Sequence, residues 1–221
     1  MLLDLPMTHE ATLRRMRERG IEFEHFFDVG AARGLFGVKV REVYPEVGLI
    51  YFEAAPYWKP LLEKTKSELG GKISIEMAAA GPSDGEMYFR FDENNPMGGA
   101  LVSKKSDNTQ IVPVRSLDSY IEEKGLTGRF ALKLDVHGVE QMILSGAERL
   151  MSSCQLLIFE TYNFGPDHRR FGQMAVHVEE KFGMRCIDIA EPKYRPFDKA
   201  LWQMDFYFGR YEGTTLSEWR L

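Results

Sequence analysis

The stretch Phe27-Asp28-Val29-Gly30-Ala31-Ala32-Arg33-Gly34-Leu35-Phe36-Gly37 constrains the fold more than any other, because an apolar strand runs there into a glycine-containing turn that opens a helix. Glycines let backbone approach a ligand closely, and the unpaired N–H groups of a helix N-terminus favour an anion. Short apolar or β-branched runs then alternate with helical patterns. Strands are predicted near Phe23–Val29, Gly48–Glu53 and Lys72–Ala79, with helices near Phe36–Val43 and Tyr57–Leu69 between them. Such alternation specifies βαβ units and a parallel sheet. A helix from Thr8, its N-cap, to Arg19, stopped by Gly20, is predicted to stand outside that sheet.

Gly85–Phe91 and Ile111–Arg115 read as two further strands. The polar segment between them, Asp92–Gln110, is long enough for a lid loop. The alternation then resumes with a helix at Leu117–Lys124, a strand at Phe130–Asp135, a helix from Gly138 to Leu150 and a strand at Gln155–Thr161. A helix near Arg169–Phe182 and strands at Met184–Ile189 and Trp202–Gly209 follow. No repeat or linker interrupts the pattern, so the expectation is one α/β domain over 1–221, with 1–22 a helical extension. Ligands of open α/β sheets bind at the carboxyl ends of the strands. Asp28, Glu53, Ala79, Asp135 and Glu160 stand at those ends.

Charge and cysteine usage narrow the partners. The chain has 28 basic and 33 acidic side chains, a formal net charge of -5, and no basic run, which argues against nucleic acid. Cys154 and Cys186 lie in or beside apolar runs without metal-ligand spacing, as expected of reduced thiols in a cytoplasmic protein. There is no apolar run of membrane-spanning length and no basic leader before Met7, so no membrane association is expected.

Glu53 ends the second strand roughly twenty residues beyond the glycine turn, where an acid accepts hydrogen bonds from both hydroxyls of a ribose. A nicotinamide dinucleotide would fit that much of the pattern. Its fingerprint, however, has Gly-x-Gly facing the pyrophosphate, whereas this chain has Gly30-Ala31-Ala32. Asp28 would also repel a pyrophosphate, yet suits the ammonium and sulfonium of S-adenosylmethionine (SAM).

The sequence resembles the FkbM-type methyltransferases of the class I SAM-dependent superfamily. The resemblance is carried by Phe27-Asp28-Val29-Gly30-Ala31 with Gly34 and Gly37, by Phe52-Glu53-Ala54, by Ala79-Ala80-Gly81 with Asp84-Gly85-Glu86, and by Ser116-Leu117-Asp118-Ser119-Tyr120. It continues through Leu132-Lys133-Leu134-Asp135-Val136-His137-Gly138-Val139-Glu140, Leu144-Ser145-Gly146-Ala147, Ile158-Phe159-Glu160 and Asp205-Phe206-Tyr207-Phe208. Lys-x-Asp-x-x-Gly-x-Glu is the most specific of these segments. The resemblance implies a Rossmann-like α/β fold with a seven-stranded, mostly parallel sheet, helices on both faces and an antiparallel last strand. It implies SAM as cofactor, with Asp28 and Gly30 at the methionine part, Glu53 at the ribose, and Met77–Ala80 with Asp84 at the adenine edge. The full cofactor set expected is Asp28, Gly30, Ala31, Gly34, Phe36, Glu53, Ala54, Ala79, Asp84 and Asp135. Two positions depart from the family: Ala32 stands where Asn is usual and His137 where Glu is usual.

Methyl transfer from a sulfonium is an in-line displacement, so the protein must align the acceptor and remove its proton. Asp135 and His137 lie at one strand end, and a histidine titrating near neutrality suits the base, with Asp135 as its partner. Glu160 and the loop Asn163–Arg170, which includes His168, are further candidates. Alternatively His137 caps the next helix and Glu140 offsets its dipole. His25 reads as a packed core histidine, and Tyr51, Phe52, Tyr57 and Trp58 as core aromatics that could wall an adenine pocket. The spacing of Asp135, His137 and Glu160 is no recognised metal motif, so no metal is expected. The function expected is O-methylation of a small-molecule or carbohydrate hydroxyl. The competing classes are an NAD-dependent oxidoreductase or epimerase, and a SAM-binding regulatory or scaffold protein without catalysis. The oligomeric state leaves no signature in the sequence.

Overall fold

The computed structural model describes residues 5–91, 98–136, 138–164 and 170–210. The chain forms α1 (His9–Glu18), β1 (His25–Val29), α2 (Leu35–Val43), β2 (Gly48–Phe52), α3 (Lys59–Leu69) and β3 (Ile73–Glu76). A second group of strands follows: β4 (Ala79–Ala80), β5 (Gly85–Arg90), β6 (Ala100–Val102) and β7 (Thr109–Arg115). Then come α4 (Leu117–Lys124), β8 (Phe130–Leu134), α5 (Glu140–Ser145), α6 (Glu148–Ser153), β9 (Cys154–Tyr162), α7 (Phe171–Phe182), β10 (Met184–Tyr194) and β11 (Leu201–Arg210).

The main sheet has seven strands in the order β10-β11-β9-β8-β1-β2-β3. β1 is parallel to β2 and β8, β2 to β3 and β8 to β9, whereas β11 is antiparallel to both β9 and β10. Side chains alternate across a strand, so Phe27 and Val29 pack with Phe52, Leu132 and Leu134 on one face. Phe26 packs with Leu49, Tyr51 and Ala131 on the other. Leu117, Ile143, Leu150 and Val178 of the later helices cover the first face. Leu13 and Met16 of α1, Val40 of α2 and Leu62 of α3 cover the second. The N-terminal helix is therefore part of the core, with Thr8 Oγ1 capping it by accepting from the Ala11 N–H.

Several expected elements are revised. The strand placed at Lys72–Ala79 ends at Glu76, and Ala79–Ala80 instead pairs with Val114 and Arg115 in a second, four-stranded sheet. The loop expected at Asp92–Gln110 contains β6, which pairs with β5, and the first residues of β7; residues 92–97 lie outside the described ones. The helix expected over Gly138–Leu150 is broken between α5 and α6. A Cβ on Gly146 would overlap the Gly81 carbonyl oxygen, so this close approach needs glycine, and the chain bends there. Asp118 of α4 then caps α6, its two carboxylate oxygens accepting from the Arg149 and Leu150 N–H groups at 2.9 Å each.

Asp118→Ala removes that cap. It is expected to cost about 1–2 kcal/mol and to lower Tm by roughly 2–8 °C, read by calorimetric unfolding, with a smaller loss for Asp118→Asn. An unchanged Tm would show that α6 does not depend on the Asp118 carboxylate.

Candidate active site

Gly30 has φ +81°, and a Cβ there would overlap the Asp135 carbonyl oxygen, so the tips of β1 and β8 meet through glycine. The N–H groups of Gly30 and Ala31 both donate to the Phe52 carbonyl, at 3.0 and 3.2 Å, which draws the turn towards the tip of β2. Ala32 follows at φ +47°, a left-handed value that costs a non-glycine residue roughly 1–2 kcal/mol. In that conformation its N–H donates to Glu53 Oε2 at 2.7 Å. Glu53 Oε1 accepts from the Ala55 N–H at 2.8 Å. Burial pushes the Glu53 carboxyl up, while the bonds from Ala55 and Ala32 pull it down.

These groups edge a cleft of about 660 Å³, lined also by Phe52, Ala54, Tyr57, Trp58, Ala78, Ala79, Phe89, Leu101, Asp135 and Val136. Phe89 and Leu101 come from β5 and β6, so the second sheet supplies part of the cleft wall. Each Glu53 oxygen keeps a lone pair beyond the one already used.

A second and wider cavity, about 1250 Å³, opens on the α1 and α2 side of the sheet. Gly30, Ala32 and Asp135 border both spaces, so the two meet at the tips of β1 and β8. Lys133, only 4% exposed, donates to Asp135 Oδ2 at 2.9 Å and stands 3.5 Å from Asp28 Oδ1. Burial alone would depress this ammonium, but the charges of Asp135 and Asp28 outweigh it and hold the group above the ordinary lysine range. Glu160 accepts from the Tyr162 hydroxyl at 2.6 Å and from the Gln203 side-chain amide. Burial first, and then the charge of Asp135, push the Glu160 carboxyl well above the ordinary carboxylate range. Burial also raises Asp205, to about 7. His9 shares a hydrogen bond of 2.9 Å with the Tyr207 hydroxyl, and burial lowers it to about 4.

Of the cofactor residues expected from the sequence, Gly30, Glu53, Ala54, Ala79 and Asp135 come together at the cleft. Asp28, Ala31 and Phe36 line the second cavity instead, where the catalytic candidate Glu160 also stands. Asp28 is 1% exposed, and its charge is opposed inside the protein by Lys133 rather than presented at the cleft. Gly34 caps α2 at φ +73°, packed against Tyr51 and Leu62, and lines neither space. Asp84 is a correction: it is exposed and fixes the start of α4, accepting from the Ser116 N–H at 2.8 Å and the Ser119 hydroxyl at 2.5 Å. Ala79 and Ala80 themselves pair in the second sheet and still border the cleft, whereas Asp84 lies in the bend that follows, against the start of α4. Phe52, Tyr57 and Trp58 do line the cleft, whereas the Tyr51 hydroxyl donates to the Gly34 carbonyl. His25 stacks on Phe130. His137 and His168 lie outside the described residues. Among the described residues no group of three metal-ligating side chains occurs, and no helix is long and apolar enough to cross a membrane.

Sequence reasoning gave no role to Lys133, Asp205 or His9. A lysine inside the buried strand Phe130–Leu134 and an aspartate inside the apolar run of β11 were the available signals, since such groups are rarely buried without a reason. His9 carried no signal, because only the packing of α1 brings it to the cavity.

The strand order, the antiparallel last strand, the helices on both faces and the cleft at the tips of β1 and β2 define a class I methyltransferase fold. Residues 28–186 match the family model described as the methyltransferase FkbM domain, and the chain belongs to that family. The fold is also that of a solved FkbM methyltransferase from Methylobacillus flagellatus KT, at TM-score 0.58 and 17% identity. The alignment covers 92% of this chain and 48% of the other, so this chain spans about half the length of that relative. An uncharacterized protein from Listeria monocytogenes serotype 4b is similar at TM-score 0.50 and 10% identity, over 95% of this chain and 70% of the other. No curated protein sequence matches.

The raised carboxyl of Asp205 makes stability depend on pH. An unfolded aspartate titrates near about 3.9, whereas the folded group titrates at about 7. The folded chain binds this proton more tightly, so the contribution is complete below the unfolded value and is lost as pH rises through about 7. The Tm of Asp205→Asn minus that of the parent should therefore increase between pH 5 and pH 8, read by scanning calorimetry. A constant difference would place the group in the ordinary carboxylate range.

Proposed function

We propose that the protein transfers a methyl group from SAM to a hydroxyl of a small polar molecule or carbohydrate. One observation carries the cofactor part of this reading: Glu53 is fixed by the N–H groups of Ala32 and Ala55 at the edge of the cleft, with lone pairs remaining for two vicinal hydroxyls. Glu53 would hold the ribose. Gly30 and Asp135 would border the methionine part, and Tyr57, Ala79 and Leu101 the adenine. SAM supplies an electrophilic methyl group on a sulfonium.

The second cavity, joined to the cleft at Asp135, is the place for the acceptor. Glu160 takes the acceptor proton: its raised pKa brings it towards neutrality, where a general base works best. Tyr162 and Gln203 hold its carboxyl in place. Lys133 fixes the side chain of Asp135 at the junction of the two spaces.

Calorimetry with S-adenosylhomocysteine and with NAD tests the cofactor. The first should bind and the second should not; NAD binding alone would overturn the methyltransferase reading in favour of an oxidoreductase or epimerase. Glu53→Ala should weaken S-adenosylhomocysteine binding by about ten- to a hundredfold, as expected for lost charge-assisted hydrogen bonds of about 1.5–3 kcal/mol. An unchanged Kd would remove Glu53 from the ribose.

For the base, Glu160→Gln should leave S-adenosylhomocysteine affinity near the parent value and lower turnover by about 10²–10⁴-fold. Parental turnover in Glu160→Gln, together with a loss in His137→Ala, would transfer the role to His137.

A further inference from the structure

Asp205 is 5% exposed and borders the second cavity, yet no hydrogen bond to its carboxyl occurs among the described residues. Its ion-pair contact, with His9 Nε2, is 3.8 Å long, beyond hydrogen-bonding range. At neutral pH that histidine is uncharged, because burial lowers it to about 4. Asp205 also stands directly opposite Glu160 in the β9–β11 register. Like charges so placed destabilise a sheet, and a buried carboxyl without a hydrogen bond costs more than one in water; the charges of Lys133 and Lys193 offset only part of that cost.

The neighbouring strand adds a second irregularity. Glu191 has φ +49° and lies where β10 shifts register against β11, between Ala190 and Lys193. Its N–H donates to the Met7 carbonyl at 2.7 Å, and the residue borders the same cavity. Bulges and left-handed non-glycine residues of this kind re-aim side chains at functional sites. Of the cavity's cations, Lys133 is bonded to Asp135, Lys39 pairs with Glu10, and Arg33 lies over Trp58. Lys193 borders the cavity together with Glu160, Glu191 and Asp205, so this wall carries three carboxyl groups to one remaining cation.

We propose that Asp205 and Glu191 seat a protonated amino group of the acceptor, which makes the substrate an amino alcohol, such as an amino sugar or aminocyclitol, rather than a neutral polyol. The inference rests on the methyltransferase reading of the same cavity. Paired side chains of neighbouring strands begin about 5 Å apart, so the amino seat adjoins the Glu160 carboxyl that takes the hydroxyl proton. Amino group and methylated hydroxyl are accordingly close together on the acceptor. Both seat residues lie outside residues 28–186, the part of the chain that matches the family.

The test begins with calorimetry against S-adenosylhomocysteine, because absence of binding there removes the methyltransferase reading itself. With binding established, turnover is measured with methyl-labelled SAM on matched pairs, methyl glucosaminide against methyl glucoside and 2-deoxystreptamine against inositol. The amino member of each pair should be methylated on oxygen, with kcat/KM at least about ten times that of the neutral member, a difference of about 1.4 kcal/mol. Asp205→Asn should remove this preference mainly through KM while leaving S-adenosylhomocysteine affinity unchanged, and Glu191→Gln should reduce it. Equal or inverted preference, methylation on nitrogen, no transfer to any member by protein that binds S-adenosylhomocysteine, or a preference that survives both substitutions would each overturn the proposal.

Discussion

The rest of the structure depends on a buried ammonium. Lys133 projects from the central strand β8 into the layer between sheet and helices, where it meets Asp28 of β1 and Asp135 at the tip of its own strand. A lone charge at such a depth would be displaced towards neutrality, and removing one partner of a buried pair costs about 3–5 kcal/mol. The lysine is kept charged because two carboxylates stand beside it, and Asp28 is tolerated in the core because the lysine is there. The pair thereby locks the two strands at whose tips the cleft and the second cavity meet.

Around this pair the turn that edges the cleft is set by backbone conformation. Gly30 permits β1 and β8 to touch, Ala32 accepts a left-handed conformation, and the Ala32 N–H together with that of Ala55 holds Glu53. The second cavity follows another logic. There the sheet contributes charged side chains from β8, β9, β10 and β11, and burial shifts each of Glu160 and Asp205 in the direction that disfavours its charge.

Much of this was legible beforehand where a local rule applied. The βα alternation, the glycine turn and Glu53 need only neighbours in sequence, and they fall where expected. Asp84 stands at the start of α4 rather than at the cleft because the chain bends between Ala80 and β5, so proximity in sequence to Ala79 and Ala80 did not carry it there. The unbroken helix over Gly138–Leu150 failed because Gly146 is shaped by the approach of the Gly81 carbonyl, a contact across more than sixty residues of chain.

The sequence by itself determined the order of the main-sheet strands, the glycine turn and membership of the fold class, because hydrophobic period and turn chemistry are local properties. Only the tertiary structure decided on which face Asp28 would lie, that Lys133 would join it, and that His9, Glu191 and Asp205 would meet across nearly the whole chain length. The physical reason is that charge and burial are properties of a place. A carboxyl in a sequence has no environment until the sheet closes around it, and what Asp28, Glu160 and Asp205 can do is set by that environment.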